Sequence, residues 1–402
     1  PLRRQRQMCI RDRYYFAFAI FSIQCAIERT TFTEILFIPI DEFTSLTQAL
    51  IVFSLISKYI MQRASFKCWA FSLAIVLISF ISWRQSGESS LFWASIFIVC
   101  ANNVRIRPLA KIALTVSFAT LIITILSAGF GVIENKVFVR GGITRYALGF
   151  NHPNALGLYL FNACVAFSAL RFGKNPIPDF GLIAVSILIN LTFADSRTSA
   201  LLLVLLAIFL TIFFFVRTDR LRKKVLTYFL VTVFIVIIVS AYLMIAYDPS
   251  NPIQFELNKL LSGRLRLANG YFEMQPTTLF GSDFSGLPPI YWENGVPSAF
   301  VVDNAWCHLL LRFGLIPAFC FLFGYIAILI KAVRQGWWNS IFFGLVLMSI
   351  YGLCETLGIH FECNYFLFAV GAELLYTNVF MSEKSSATGR SYSYFEIGNN
   401  CV

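Results

Sequence analysis

Twelve apolar runs recur along this chain with short polar segments between them, and that spacing constrains the fold more than any other feature. They lie at about 14–28, 44–60, 67–83, 89–101, 109–130, 153–171, 179–194, 198–216, 225–247, 304–330, 338–357 and 363–381. A hydrocarbon core about 30 Å thick needs about 20 helical residues to cross it. The pattern therefore predicts an all-α polytopic membrane protein with about 12 transmembrane helices. The fourth and seventh runs are short for the task and predict tilted or half-buried helices.

Composition agrees with that class. Of 402 residues, 58% are apolar and 13% charged, and the mean hydropathy is +0.72, values foreign to soluble domains. The formal charge of +11 does not indicate nucleic acid, because most cations sit in short loops between apolar runs, where they set topology. With the N-terminus inside, 22 of the 32 Lys and Arg residues fall on the inner side, so both termini are expected in the cytoplasm. The ten cysteines form no CxxC pair and read as small hydrophobes. Three histidines without an HExxH motif predict no metal site and no cofactor.

Within a single helical domain, 14–381, the segment 248–303 is the one long extracytoplasmic loop, and its stretch 257–274 predicts a short amphipathic helix on the interface. Residues 1–13 are read as a tail left out of the functional reasoning, and 382–402 as a flexible cytoplasmic tail. No internal repeat is visible, which argues against a two-half transporter.

The informative cations are those on the outer side, Arg140, Arg145, Arg197, Arg264, Arg266 and Arg312, where topology favours none. Every even-numbered run begins on that side, with free N–H groups and the positive end of a helix dipole facing outward. The sixth starts "NHPNALG", with Asn151 or His152 as cap and Pro153 in the first turn. The eighth starts "DSRTSALLL", capped by Asp195 or Ser196, with Arg197 alongside. The tenth starts "DNAWCHLLLRFG", capped by Asp303, with His308 and Arg312 four apart on one face. Helix starts and guanidinium groups on one surface are what a diphosphate requires. Each residue also has a plainer reading. The His152 region is equally a capped helix start, and Arg264 and Arg266 equally contacts to lipid headgroups; a histidine placed like His308 is more often a packing residue than an acid or base, Asp195 beside Arg197 reads also as a plain ion pair, and Glu355 as the partner of a nearby Arg.

The stretches "ALGFNHPNALG", "DSRTSALLL", "LSGRLRL", "LFGSDFSG", "VVDNAWCHLLLRFGLI" and "YGLCETLGIHFECNYFLF", in that order and spacing, resemble bacterial polysaccharide polymerases of the Wzy type, within the O-antigen ligase and polymerase-like membrane family. The likeness spans about residues 140–375. It implies a GT-C-like membrane glycosyltransferase, metal-independent, whose donor is a glycan on undecaprenyl pyrophosphate at the outer face of the bacterial cytoplasmic membrane. It implies polymerisation of repeat units, with membrane lipids, a flippase and a chain-length regulator as partners. By the same likeness Arg145, Arg197 and Arg264 are basic substrate-binding residues, His152 and Asn154 the polar helix start, and Asp303 and Asn304 part of the pattern. A ligase of the same family would place a histidine nearer the end of the outer loop than His308, which favours the polymerase. A ligase acting on another acceptor and a flippase remain the alternatives. The chemistry needs cations on the leaving pyrophosphate and a base for the attacking hydroxyl. Asp303, His152 and Glu355 are the candidates for that base. Arg145, Arg197, Arg264, Arg266, Arg312, Asn154, Asn304 and His308 are the candidate binding residues. Tyr271, Phe272, Tyr291, Trp292 and Trp306 are candidate sugar-stacking or interfacial aromatics.

Overall fold

The structure, a computed structural model, describes residues 2–36, 38–62, 64–140, 142–261, 263–288 and 302–376, with only the backbone for 2–9. It is mostly helical. Helices α1 (Leu2–Glu28), α2 (Ile40–Met61), α3 (Phe66–Ser86), α4 (Ser90–Val99) and α5 (Ile106–Gly129) form the first half. A hairpin of β1 (Val137–Arg140) and β2 (Ile143–Tyr146) follows. Then come α6 (Pro153–Arg171), α7 (Ile177–Ile189), α8 (Arg197–Phe215), α9 (Asp219–Ala246), α10 (Pro252–Leu260), α11 (Arg264–Met274), α12 (Ala305–Phe313), α13 (Leu315–Gln335) and α14 (Ser340–Tyr351). Among the described residues, eight helices are long and apolar enough to cross a membrane: α2, α3, α5, α6, α7 with its extension to Ala194, α8, α9 and α13. Three apolar helices are shorter: α4, α14 and the helical turns of Tyr365–Leu375. Large apolar side chains face outward along the long helices, Phe53, Phe71, Ile238 and Phe323 among them. Such a surface suits lipid and not water.

Helix α6 lies at the centre. Of its apolar window 72% is buried, against 22% in α2 and in α3, because α5, α8 and α14 all pack on it. Side chains of α14 such as Phe342, Phe343 and Leu345 are fully enclosed. Small residues let other helices approach closely, as lipid-embedded packing favours. Ser79 of α3 meets Ser95 of α4 at 2.6 Å, and Ser82 donates to the Phe313 carbonyl at 2.8 Å.

Several sequence expectations change. The run 304–330 is not one span but two helices, divided at Gly314. Gly314 and Gly281 both have positive φ, +89° and +98°, and a Cβ on either would overlap the other segment's backbone. Hydrogen bonds from Leu315 N–H to Thr278 O and from Ser282 N–H to Arg312 O pin the two segments together there. The seventh run, 179–194, starts at Ile177 and closes in a π-type turn, Asn190–Ala194, while the fourth, 89–101, shortens to the ten residues Ser90–Val99. The stretch 257–274 is two helices, α10 and α11, broken before Gly263 at φ +84°. The all-α class holds, with one short two-stranded hairpin that the sequence did not indicate. Helix α1 runs back to Leu2, through most of the stretch read as a tail. Lys58, read as a loop cation, is buried; its Nζ donates to Cys100 O, Asn102 O and Gln62 Oε1, satisfying carbonyls beyond the end of short α4. The expected tail 382–402 lies outside the described residues.

Candidate functional site

Two separately held arginines, Arg145 and Arg264, define the charged end of the bundle, where α1 ends and α6 and α8 begin. The hairpin carries the first. Asn151 joins this region to α1, its side chain donating to Glu28 O at 2.8 Å and its N–H to Arg29 O at 3.0 Å. Pro153 opens α6 with a φ already suited to a helix, and His152 caps it, its Nδ1 accepting from Asn154 N–H at 3.1 Å. Arg145, on β2, is 4% exposed. Its Nε donates to Ala194 O at 2.7 Å and one NH2 group to Asn154 Oδ1 at 2.8 Å. Asp195, in a left-handed conformation at φ +41°, does not cap α8 but pairs with Arg140 at 3.1 Å. The N-cap of α8 is Ser196, without a side-chain capping bond. Arg197 follows it, exposed, and adds to the positive field on Arg145.

His152 is a poor base in this setting. Its Nδ1 lone pair is used by the cap, so the ring's proton sits on Nε2. Partial burial, then Arg145 and Arg140, hold its imidazole below the usual range, in keeping with a neutral cap.

Arg264 opens α11 and reaches two carboxylates from two different segments. Its Nε lies 3.1 Å from Asp303 Oδ2 and an NH2 group 3.4 Å from Glu355 Oε1. All three side chains are largely enclosed, at 12%, 31% and 17% exposure. One guanidinium cannot neutralise two carboxylates, and the result is an uneven pair. Burial, then repulsion by Asp303, lifts the Glu355 carboxyl to about 7 against the pull of Arg264. Asp303 is raised less, by burial, with Arg264 and His308 opposing. This division of two neighbouring carboxyls is the usual way proteins make one of them a base near neutrality.

Asp303 is not the cap of the following helix. Asn304 is, accepting from Trp306 and Cys307 N–H, while its own amide donates to Ser240 of α9. His308 and Arg312, four apart as expected, both turn to Glu88 of the α3–α4 turn, at 2.8 and 3.8 Å, and Arg312 also pairs with Asp283 at 3.2 Å. Half-buried Arg266 follows Arg264 by two residues on α11, its N–H donating to Asn258 Oδ1. Tyr271 and Trp306 are buried, Tyr271 stacked on Phe284 and Trp306 bonded to Ser349 O, so neither is free to stack on a sugar. Tyr291 and Trp292 lie outside the described residues.

The structure thus brings Arg145, Arg197, His152 and Asn154 into one group and Arg264, Asp303 and Glu355 into another. Residues not singled out in the sequence form a further chain of pairs at this end of the bundle. Arg29, next to the hairpin region, pairs with Glu362 at 2.6 Å; Glu362 lies 3.4 Å from His360, and His360 lies 3.8 Å from Glu88. Their signal in the sequence was weak: Glu88 is one acid in a serine-rich turn, and Glu362 follows a histidine by two. No three His, Cys, Asp or Glu side chains among the described residues are grouped as a metal site.

Fold and site together define a helical polytopic membrane protein with a buried, mixed-sign charge network at one end. No family model, curated protein or solved structure matches the chain.

Proposed function

We propose that this protein polymerises lipid-linked glycan repeat units, as a membrane glycosyltransferase that takes its donor from undecaprenyl pyrophosphate. The observation that carries the reading is Arg264 clasped by Asp303 and Glu355, at the end of a multi-span helical bundle that also gathers Arg140, Arg145 and Arg197. In this reading the chain crosses the bacterial cytoplasmic membrane twelve times with both termini inside, and the charged end faces out.

The chemistry follows from the geometry. Glu355, with a pKa near 7, takes the proton of the acceptor hydroxyl as its oxygen attacks the anomeric carbon of the donor. The bond from that carbon to the pyrophosphate breaks, and the pyrophosphate leaves with both electrons. Once Glu355 is neutral it no longer holds the Arg264 NH2 group, and the guanidinium is released toward the charge that has just developed on the leaving group. Arg197, open at the start of α8, adds positive potential on the approach. Guanidinium groups supply the cationic role here.

The test is reconstitution. Purified protein in lipid, given repeat units on undecaprenyl pyrophosphate extracted from cells lacking the protein, with neither nucleotide sugar nor added metal, is expected to produce a ladder of lengths. Absence of any product longer than one unit, from folded protein, overturns the reading.

A further inference from the structure

The transfer chemistry above leaves Glu88 unused, although it is the best-connected carboxylate at this end of the bundle. The α3–α4 turn places it: Gly87 takes a left-handed φ of +74°, Glu88 N–H donates to Ser86 Oγ at 3.2 Å, and Ser90 Oγ donates to Glu88 Oε1 at 2.9 Å. Its basic partners come from elsewhere in the chain. Oε2 receives His308 Nε2 at 2.8 Å and lies 3.8 Å from Arg312 Nε, both on α12, while Oε1 lies 3.8 Å from His360 Nε2. A carboxylate enclosed in this way is costly unless it is paired. Burial would push the Glu88 carboxyl up, but His308 and then His360 outweigh that and hold it well below the usual range.

The segments gripped are the ones that matter for Arg264. Helix α12 begins two residues after Asp303, and 352–364 carries Glu355. They meet through Ala305 N–H on Gly352 O at 2.7 Å and through Ile359, which shares a buried apolar cluster with Ala305, Leu309 and Phe313 of α12, while Trp306 Nε1 donates to Ser349 O at the end of α14 at 3.2 Å. Glu88 adds a polar tie between the same two segments, through His308 and His360.

We propose that Glu88 is a positioning residue of the transfer site: by holding His308 and Arg312 of α12 together with His360 of the 352–364 segment, it fixes the separation of Asp303 and Glu355 across Arg264. The inference rests on the function proposed above. It differs from a purely structural role because its loss acts on the chemical step. A displacement of about 1 Å at a reacting group costs up to about a hundredfold in rate.

The experiment compares Glu88→Gln, Glu88→Asp, His308→Gln, the double variant Glu88→Gln/His308→Gln and Arg264→Ala in reconstituted membranes. Ladder formation is followed from extracted lipid-linked repeat units and normalised to folded protein. Glu88→Gln is expected to lower kcat about tenfold to a hundredfold with little change in KM. Glu88→Asp should recover part of the rate because it keeps the charge. The double variant should be no slower than the slower single variant, since both remove the same grip. Unchanged kcat in Glu88→Gln, or losses that multiply in the double variant, overturns the inference if Arg264→Ala is inactive. Full activity in Arg264→Ala overturns the functional reading itself, and this inference with it. Should Glu88→Gln not accumulate, Glu88→Asp and His308→Gln carry the comparison, and equal, unaltered kcat in both is the overturning result.

Discussion

Arg145 and Arg264 stand at the same end of one bundle and are held in opposite ways. Arg145 is buried and donates to neutral acceptors, the Ala194 carbonyl and the Asn154 amide, with Arg140, Asp195 and Arg197 as charged neighbours that it does not bond. Its bonds tie β2 to the turn before α8 and to the start of α6. Arg264 instead meets two carboxylates from two segments. An arginine bonded to backbone and amide oxygen fixes structure. One shared between two acids makes their protonation depend on each other. The difference teaches that arginines gathered at one end of a bundle are not one site with one role.

The largest effect is expected at Arg264. Arg264→Ala should abolish polymer while leaving protein amount intact, a loss of at least 10²–10³ in rate, roughly the cost of removing one donor to developing charge. Arg264→Lys should fare little better, because a single ammonium lacks the planar fork that reaches Asp303 and Glu355 at once. Gel ladders from membranes of equal protein content decide it. Polymer of normal length in the Lys variant would reduce Arg264 to the status argued here for Arg145.

Glu355 comes next. Glu355→Gln should cost about 10²–10⁴, the range for loss of a general base. A base works as the carboxylate, so the wild-type rate should climb as pH rises through about 7 and fall below it. After burial, the repulsion of Asp303 is what raises this group. Asp303→Asn should therefore move the acid limb to lower pH, whatever it does to the plateau. A limb that stays in place under that substitution would show that some other group titrates.

Arg145→Ala should act on the fold first. It leaves the Ala194 carbonyl and the Asn154 side-chain oxygen enclosed without their donor, at about 1–3 kcal/mol for each. Lower protein amount and a lower melting temperature in detergent are expected, with activity per folded molecule reduced less than in Arg264→Ala. Equal loss of specific activity in the two variants would erase the distinction between the regions.

How much of this was legible beforehand follows from what sequence patterns report. Helices and their rough ends came from apolar length, which tertiary contacts rarely alter. The break at Gly314 did not, since it depends on a close approach by Gly281, thirty-odd residues away and on another segment. The cap at His152 was readable because capping is local; the displacement of the tenth-run cap from Asp303 to Asn304 was not, because Arg264 draws Asp303 aside. Glu88, His360, Glu362 and Arg29 matter through pairings across 220 or more residues for His308–Glu88 and 333 for Arg29–Glu362. A single sequence holds no record of such pairings. Arg145 and Arg264 look alike in the sequence for the same reason: each is one cation between apolar runs, and only the acceptors tell them apart.

The smallest effect, and the one that sharpens the comparison most, is expected at Arg197. It is exposed at the first turn of α8 and makes no ion pair among the described residues. It belongs to the hairpin group by position but shares neither the burial of Arg145 nor the carboxylates of Arg264. An open guanidinium attracts a diphosphate across water, where exposed pairs are worth about 0.2–1 kcal/mol, or about 1.5- to 5-fold in binding. Arg197→Ala should therefore raise KM for the lipid-linked unit by about that factor, with kcat nearly unchanged. The effect should fade as salt shortens the screening length from about 10 Å at 0.1 M to about 3 Å at 1 M. Arg197→Lys should retain most of the affinity, because at this range charge counts more than fork geometry. A salt-insensitive loss of kcat in Arg197→Ala would instead mean that this side chain closes onto the substrate, and would move it from the approach into the group around Arg264.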